Sequence, residues 1–200
     1  MIKSDEGVVV VLKASALLAH NIAASKRYIC LDARSYSSSS SSSSLFPRPL
    51  ASVTVSPLQD EESLRRLFAQ EEKRVFFQHV VLLASEDQQH VLNLVQRAVH
   101  SYCSLHSCVA HGLARKVQLV LLTDVALWPA PLLVNDGDMD EDRQLFFLDR
   151  TILPHKISSD IYLGDWMSAT DIQVLQHLNV KGVVNASNHY SCKVNTQSEP

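Results

Sequence analysis

Neither sign of charge is in marked excess: 18 basic residues stand against 21 acidic ones, for a formal net charge of -3 and an isoelectric point near 6.3. That balance leaves no electrostatic footprint for wrapping nucleic acid or coating an anionic membrane, so neither is expected as a partner. No apolar run approaches the ~20 residues that a bilayer crossing needs, which excludes a membrane-spanning reading. The apolar stretch near the N-terminus, GVVVVLKASALLAHNIAAS, is broken by Lys13 and His20 and preceded by Asp5 and Glu6 instead of basic residues. A secretory signal has the opposite flank. Cysteine is sparse, and Cys30, Cys103, Cys108 and Cys192 are scattered through a chain long and apolar enough to do without disulfide staples. A reducing setting, cytoplasm or nucleus, is therefore expected.

What is present is a globular pattern, 46% hydrophobic, with helical and strand periods in alternation. Leu17, Leu18 and Ile22 lie on one helical stripe of residues 14–24, and YICLDAR (Tyr28 to Arg34) reads as a short buried strand. Eight consecutive serines, Ser37 to Ser44, cannot pack a core and read as a solvated loop closed by Pro47 and Pro49. ASVTV (Ala51 to Val55) resumes an extended pattern. Asp60, Glu61 and Glu62 then open a helix with Leu64, Leu67 and Phe68 facing inward. VFFQHVVLLAS (Val75 to Ser85) and KVQLVLLTD (Lys116 to Asp124) are continuous apolar runs of the kind that buried parallel strands show. Between them Val91, Leu94, Val95, Ala98, Val99 and Tyr102 repeat at spacings of three and four, the clearest helix in the chain. The expected class is α/β, a parallel sheet with helices on both faces.

The character changes after Trp128. Pro129 and Pro131 are followed by the acidic NDGDMDED, so residues 129–150 read as a linker between a unit spanning 10–128 and a second spanning 151–200. In the second, Ile157 to Leu163 reads as a strand leading to Gly164. Ser168 and Asp171 have capping-box spacing ahead of a helix whose Ile172, Leu175 and Leu178 share a face, Asn179 suits its exit, and Val180 to Ser187 reads as the next strand. Two strands and one helix are too little to bury a sheet alone.

IYLGDWMSATDIQVLQHLNVKGVVNAS closely resembles the entry of the dual-specificity protein phosphatase domain, through Tyr162, Leu163, Gly164, Ala169, Leu175, Leu178, Val184 and Asn185. These are fold-determining positions, and none performs chemistry. In the mitogen-activated protein kinase phosphatases a similar domain follows a rhodanese-like one, and YICLDAR, ASVTV, HVVLLASED and VQLVLLTD resemble its strands in the same order. Asp32 and Arg34 match the Asp-x-Arg after the first buried strand, whereas the Gly-Gly after the last strand is replaced by TDVALWPA. The resemblance implies dephosphorylation of phosphotyrosine and phosphoserine/threonine in proteins, with a mitogen-activated protein kinase or another phosphoprotein as partner.

Such enzymes use a cysteine thiolate in a His-Cys-x5-Arg loop, whose backbone N–H groups and Arg cradle the phosphate and depress the thiol pKa. An upstream Asp protonates the leaving oxygen. None of the four cysteines follows a His, and none has Arg six positions later. No catalytic residue is therefore assigned, and the sequence is expected to be inactive as it stands. Two readings follow: a sequence cut before its catalytic loop, or a natural non-catalytic binding protein. The first is favoured, because strands left without sheet neighbours are an aggregation liability.

Other chemistries find less support. Sulfur transfer on a rhodanese fold needs a persulfidable cysteine after the central strand, where SEDQQ (Ser85 to Gln89) has none. The kinase phosphatases dock kinases through a basic cluster flanked by apolar residues, and Leu64, Arg65, Arg66 and Leu67 occupy the corresponding place. The competing reading makes the leucines core and the arginines a solvated helix face, diluted by Glu61, Glu62, Glu71 and Glu72. His100, Cys103, His106, Cys108 and His111 are metal-ligand types at no standard spacing, and DGDMDED lacks the glycine and distal Glu of a calcium loop, so neither a metal nor another cofactor is expected. Asp32 and Arg34 are read as a fold-stabilising ion pair.

Overall fold

The computed structural model describes residues 9, 11–34, 47–55, 59–74, 76–85, 87–106, 117–134 and 140–187. The serine run, Cys108, His111, the centre of the acidic stretch and the last residues fall outside that set. The chain begins with β1 (Val11–Lys13), α1 (Ala16–Ser25) and β2 (Tyr28–Asp32), then β3 (Arg48–Pro49) and β4 (Val53–Thr54). α2 (Glu61–Glu72), β5 (His79–Leu83), α3 (Gln89–His106) and β6 (Gln118–Leu122) follow.

Five strands form one sheet in the order β1-β6-β5-β2-β4, every neighbouring pair parallel. The continuous apolar runs have the composition that a strand covered on both faces requires. Alternate residues go to opposite sides. Ile29, Leu31, Val80, Leu82 and Leu119 meet Leu64 and Phe68 of α2 and Val91, Val95 and Tyr102 of α3. Tyr28, Cys30, Val81, Leu83, Val120 and Leu122 meet Ala19, Ile22 and Ala23 of α1. The α/β class with a parallel sheet covered on both faces is thus observed. β1 takes an edge beside β6, a pairing of Val11 with Leu119 that no local period in the sequence signals.

Local chemistry explains the helix limits. Ser15 and Asp60 cap α1 and α2 by accepting from the N–H of Leu18 and Ser63, and Glu61 and Glu62 complement the dipole of α2. Lys26 ends α1 in the left-handed conformation at φ 54°.

The segment expected as a linker is largely structured. Short 3₁₀ turns at Val125–Leu127 and Ala130–Leu132 lead to β7 (Leu133–Val134), which pairs antiparallel with β3, and α4 (Glu141–Arg150) follows under an Asp140 cap. The reason is apolar: Trp128, Leu132 and Val134 are buried on the α1 side of the sheet. Leu153 and Val174 join the same cluster, so the second unit packs on the first.

That second unit departs from expectation. The strand expected over Ile157 to Leu163 is a hairpin, β8 (His155–Lys156) against β9 (Tyr162–Leu163), with the chain turning where the Ile161 carbonyl accepts from Ile157 N at 2.8 Å. The expected single helix is two, α5 (Trp166–Thr170) and α6 (Ile172–His177), capped by Asp165 and Asp171. Ser168 is no cap but is buried within α5. Val174 and Leu178, not Ile172, turn to the core, because the sheet unit lies on that side. Asn179 leaves the helix at φ 55°, and residues 180–187, expected as a strand, have no ladder partner among the described residues.

Candidate functional site

In an open parallel sheet, ligands bind outside the carboxyl ends of the strands, where successive connections diverge. Here the connection after β2 runs to the β4 edge and that after β5 runs to β6, so the crevice lies between the ends of β2 and β5. Ala33, Arg34, Ser85 and Gln88 lie at these ends. The loops bordering the crevice are bonded to each other. Gln88 is buried; its Oε1 accepts from Ser85 N at 3.0 Å and its Nε2 donates to the Ala33 carbonyl at 2.7 Å. One side chain thus ties the two diverging loops together.

Beside it the ion pair expected of Asp32 and Arg34 forms in bidentate geometry. Arg34 Nε donates to Asp32 Oδ1 at 3.0 Å and its Nη2 to Oδ2 at 2.7 Å, with a further bond to the Pro47 carbonyl at 3.1 Å. The carboxylate is wholly buried, so Arg34 is held as structure. Gln88 gave no signal in the sequence, where a polar residue between a strand and a helix looks like surface.

Neither described cysteine is set up as a nucleophile. Cys30 lies within β2, where burial first and the Asp32 charge second push its thiol far up, and burial also raises Cys103 on α3. No group of three or more metal-ligating side chains gathers among the described residues. No helix among them is long and apolar enough to cross a membrane.

The docking candidates are split by the fold. Leu64 is in the core, Leu67 packs at its margin, Arg65 is half-buried and Arg66 reaches outward. Both arginines bond Glu62 on their own helix, Arg66 Nε at 3.1 Å to Oε1 and Arg65 to Oε2, and the Arg66 side chain is 78% exposed. A partner would therefore meet the arginines, not Leu64.

The second unit carries a cavity of about 740 Å³, bordered by Leu163, Trp166, Leu175, Val180 and Val183. Gly164 belongs at its rim for a steric reason, since a Cβ there would fall 2.2 Å from Ser168 Oγ and 3.0 Å from Pro154 Cβ. Ser168 cannot easily yield, because its hydroxyl donates to Asp165 Oδ1 at 3.0 Å while its N–H donates to the same oxygen at 2.9 Å. Tyr162, Leu163, Gly164, Ala169 and Leu175 border this cavity, while Leu178 packs against the α1-side core. The polar groups at this cavity are engaged in local caps and turns, Asp165 at α5 and Asn185 with Ser187, and form no arrangement of acid, base and nucleophile.

Comparison with protein-family models, with curated proteins and with solved structures finds no match to this chain.

Proposed function

We propose that this chain is a non-catalytic member of the dual-specificity phosphatase family, of the mitogen-activated protein kinase phosphatase kind, whose rhodanese-like sheet serves as a protein-binding module. The tie between the loops that follow β2 and β5 carries the reading. Gln88 and the Asp32–Arg34 pair fasten the loops at the end of the sheet where a parallel-sheet enzyme would hold substrate, and burial raises the thiols of Cys30 and Cys103 instead of lowering them as a nucleophile needs. The strands Tyr28–Asp32, His79–Leu83 and Gln118–Leu122 are direct neighbours in one sheet, which the rhodanese-like reading requires. The resemblance around Tyr162, Leu163 and Gly164 supplies the family, and the proposed partner is a mitogen-activated protein kinase or another phosphoprotein.

The test is incubation with a doubly phosphorylated mitogen-activated protein kinase, following capture and bound phosphate together. Capture without phosphate release is expected. Phosphate release would overturn the non-catalytic reading, and failure to capture such kinases would remove them as partners. Arg65→Glu with Arg66→Glu is expected to abolish capture through α2, since the acidic replacements would repel an acidic groove; capture that survives moves the interface elsewhere.

A further inference from the structure

The second unit is fastened to the first by polar bonds from one helix. On α1, His20 Nε2 donates to the Pro154 carbonyl at 2.8 Å. Its neighbour Asn21 grips the next backbone step twice, its Nδ2 donating to the Lys156 carbonyl at 2.9 Å and its Oδ1 accepting from Lys156 N at 2.7 Å. At the end of the helix Lys26 bonds the Asp149 carbonyl. His20 is buried, with its ring centroid 5.5 Å from that of Tyr162, and the same Tyr162 ring carries the Lys156 ammonium at 5.5 Å.

We propose that His20 is a proton-sensitive latch, which holds the hairpin of β8 and β9 on α1 while neutral and releases it when protonated. The surroundings disfavour an imidazolium. β8 brings His155 and Lys156, whose charges both act against an imidazolium, and β9 brings the Tyr162 ring. β2 brings Tyr28 and Cys30, kept protonated by burial, and the Val125–Leu127 turn brings Asp124, whose carboxylate accepts from Ala126 N at its own cap. Farther along, Lys26 meets the backbone of Asp149. The charges acting on the His20 ring are those of Lys156 and His155.

Burial first, then Lys156 and His155, hold the imidazole below its ordinary value, with the Pro154 bond opposing them. A group lowered in this way contributes its full stability above the ordinary histidine value of about 6.5 and loses it as pH falls toward the lower closed-state value. The seam is therefore closed at neutral pH and weakens in acid. Release would uncover Leu153 and Val174, which now lie in the shared core. The proposal concerns the seam alone and stands apart from the phosphatase reading.

Hydrogen exchange on the whole chain at about pH 7.5 and about pH 5, corrected for the intrinsic rate, tests it. Amides of 153–178 should lose protection in acid relative to β5, by about tenfold for each pH unit separating the closed and open imidazole values. His20→Gln keeps a donor for Pro154 without a titrating proton and should flatten the response, while His155→Gln should retain it. Unchanged protection in the wild type, or an acid response that survives in His20→Gln, overturns the latch. Should His20→Gln not fold, the wild-type His20 titration followed by NMR decides, since a value at or above the ordinary one overturns it equally.

Discussion

In the parallel sheet every residue of β2 from Tyr28 to Asp32 is buried, whereas in the hairpin of the second unit Leu163 is 66% exposed and, beyond α6, Val184 is 93% exposed. The two regions differ above all in neighbours. β2 has β5 on one side and β4 on the other, with helical layers above and below; β8 and β9 have each other and one face of α1. A strand sequence buries what its partners cover, and apolar residues beyond that cover remain at the surface.

The largest break in this comparison should come from the sheet side. Phe68 is wholly buried against Phe77 and Tyr102, with ring centroids 6.2 Å and 5.7 Å away. Phe68→Ala is expected to cost about 3–5 kcal/mol, because the removed ring leaves a cavity between helices and sheet. Ile172→Ala, on a side chain 65% exposed, should change stability by less than about 0.5 kcal/mol. Urea midpoints of the two variants measure the contrast directly. Similar losses would mean that α6 has a core the present packing does not contain.

A second contrast concerns charge. Arg34 faces a fully buried carboxylate, while Arg143 Nε lies 3.6 Å from Asp140 with both side chains in water. Arg34→Ala should cost about 3 kcal/mol by stranding the Asp32 charge at the crevice. Arg143→Ala should cost less than about 1 kcal/mol, as screened surface pairs do. Thermal or urea unfolding of each separates the cases. A small loss for Arg34→Ala would show that water enters the crevice and replaces the guanidinium.

The difference between the regions also explains what could be read beforehand. β2, β5, β6, α2 and α3 were legible because buried strands and amphipathic helices each write their period into the residues that pack, as Val91, Val95, Ala98 and Tyr102 do on α3. The β3–β7 pairing was not legible, since two residues per strand carry no period and the pairing joins Arg48 to Val134 across the whole sheet unit. α4 left a usable signal in Asp140 ahead of a run without glycine or proline, but the acidic stretch before it drew the reading toward a linker. At the sheet's end, Asp32 and Arg34 were legible as a pair from their spacing, while the tie by Gln88 depends on how far apart the two loops end. Residues 180–187 show the converse failure, a segment with three valines that has no strand beside it among the described residues.

The smallest expected effect sharpens the comparison within helix caps. Asp60 and Asp165 both accept from the N–H three residues on, but α2 has 12 residues and a buried face, while α5 has 5. The Asp165 carboxyl is held below the ordinary aspartate value, chiefly by the Ser168 N–H, with burial opposing and the Ser168 hydroxyl adding to the effect. Its contribution is therefore complete above the ordinary value and lost as pH falls through the lower folded one, below about pH 4. Asp165→Ala should cost about 1 kcal/mol, confined to exchange of amides 166–170, and leave the urea midpoint of the sheet in place. Asp165→Asn, which keeps an acceptor but does not titrate, should restore the cap and remove its acid sensitivity. If Asp165→Ala instead lowered the midpoint of the whole chain, α5 and the sheet would unfold as one unit, and the contrast between the two regions would be one of exposure without a difference in local stability.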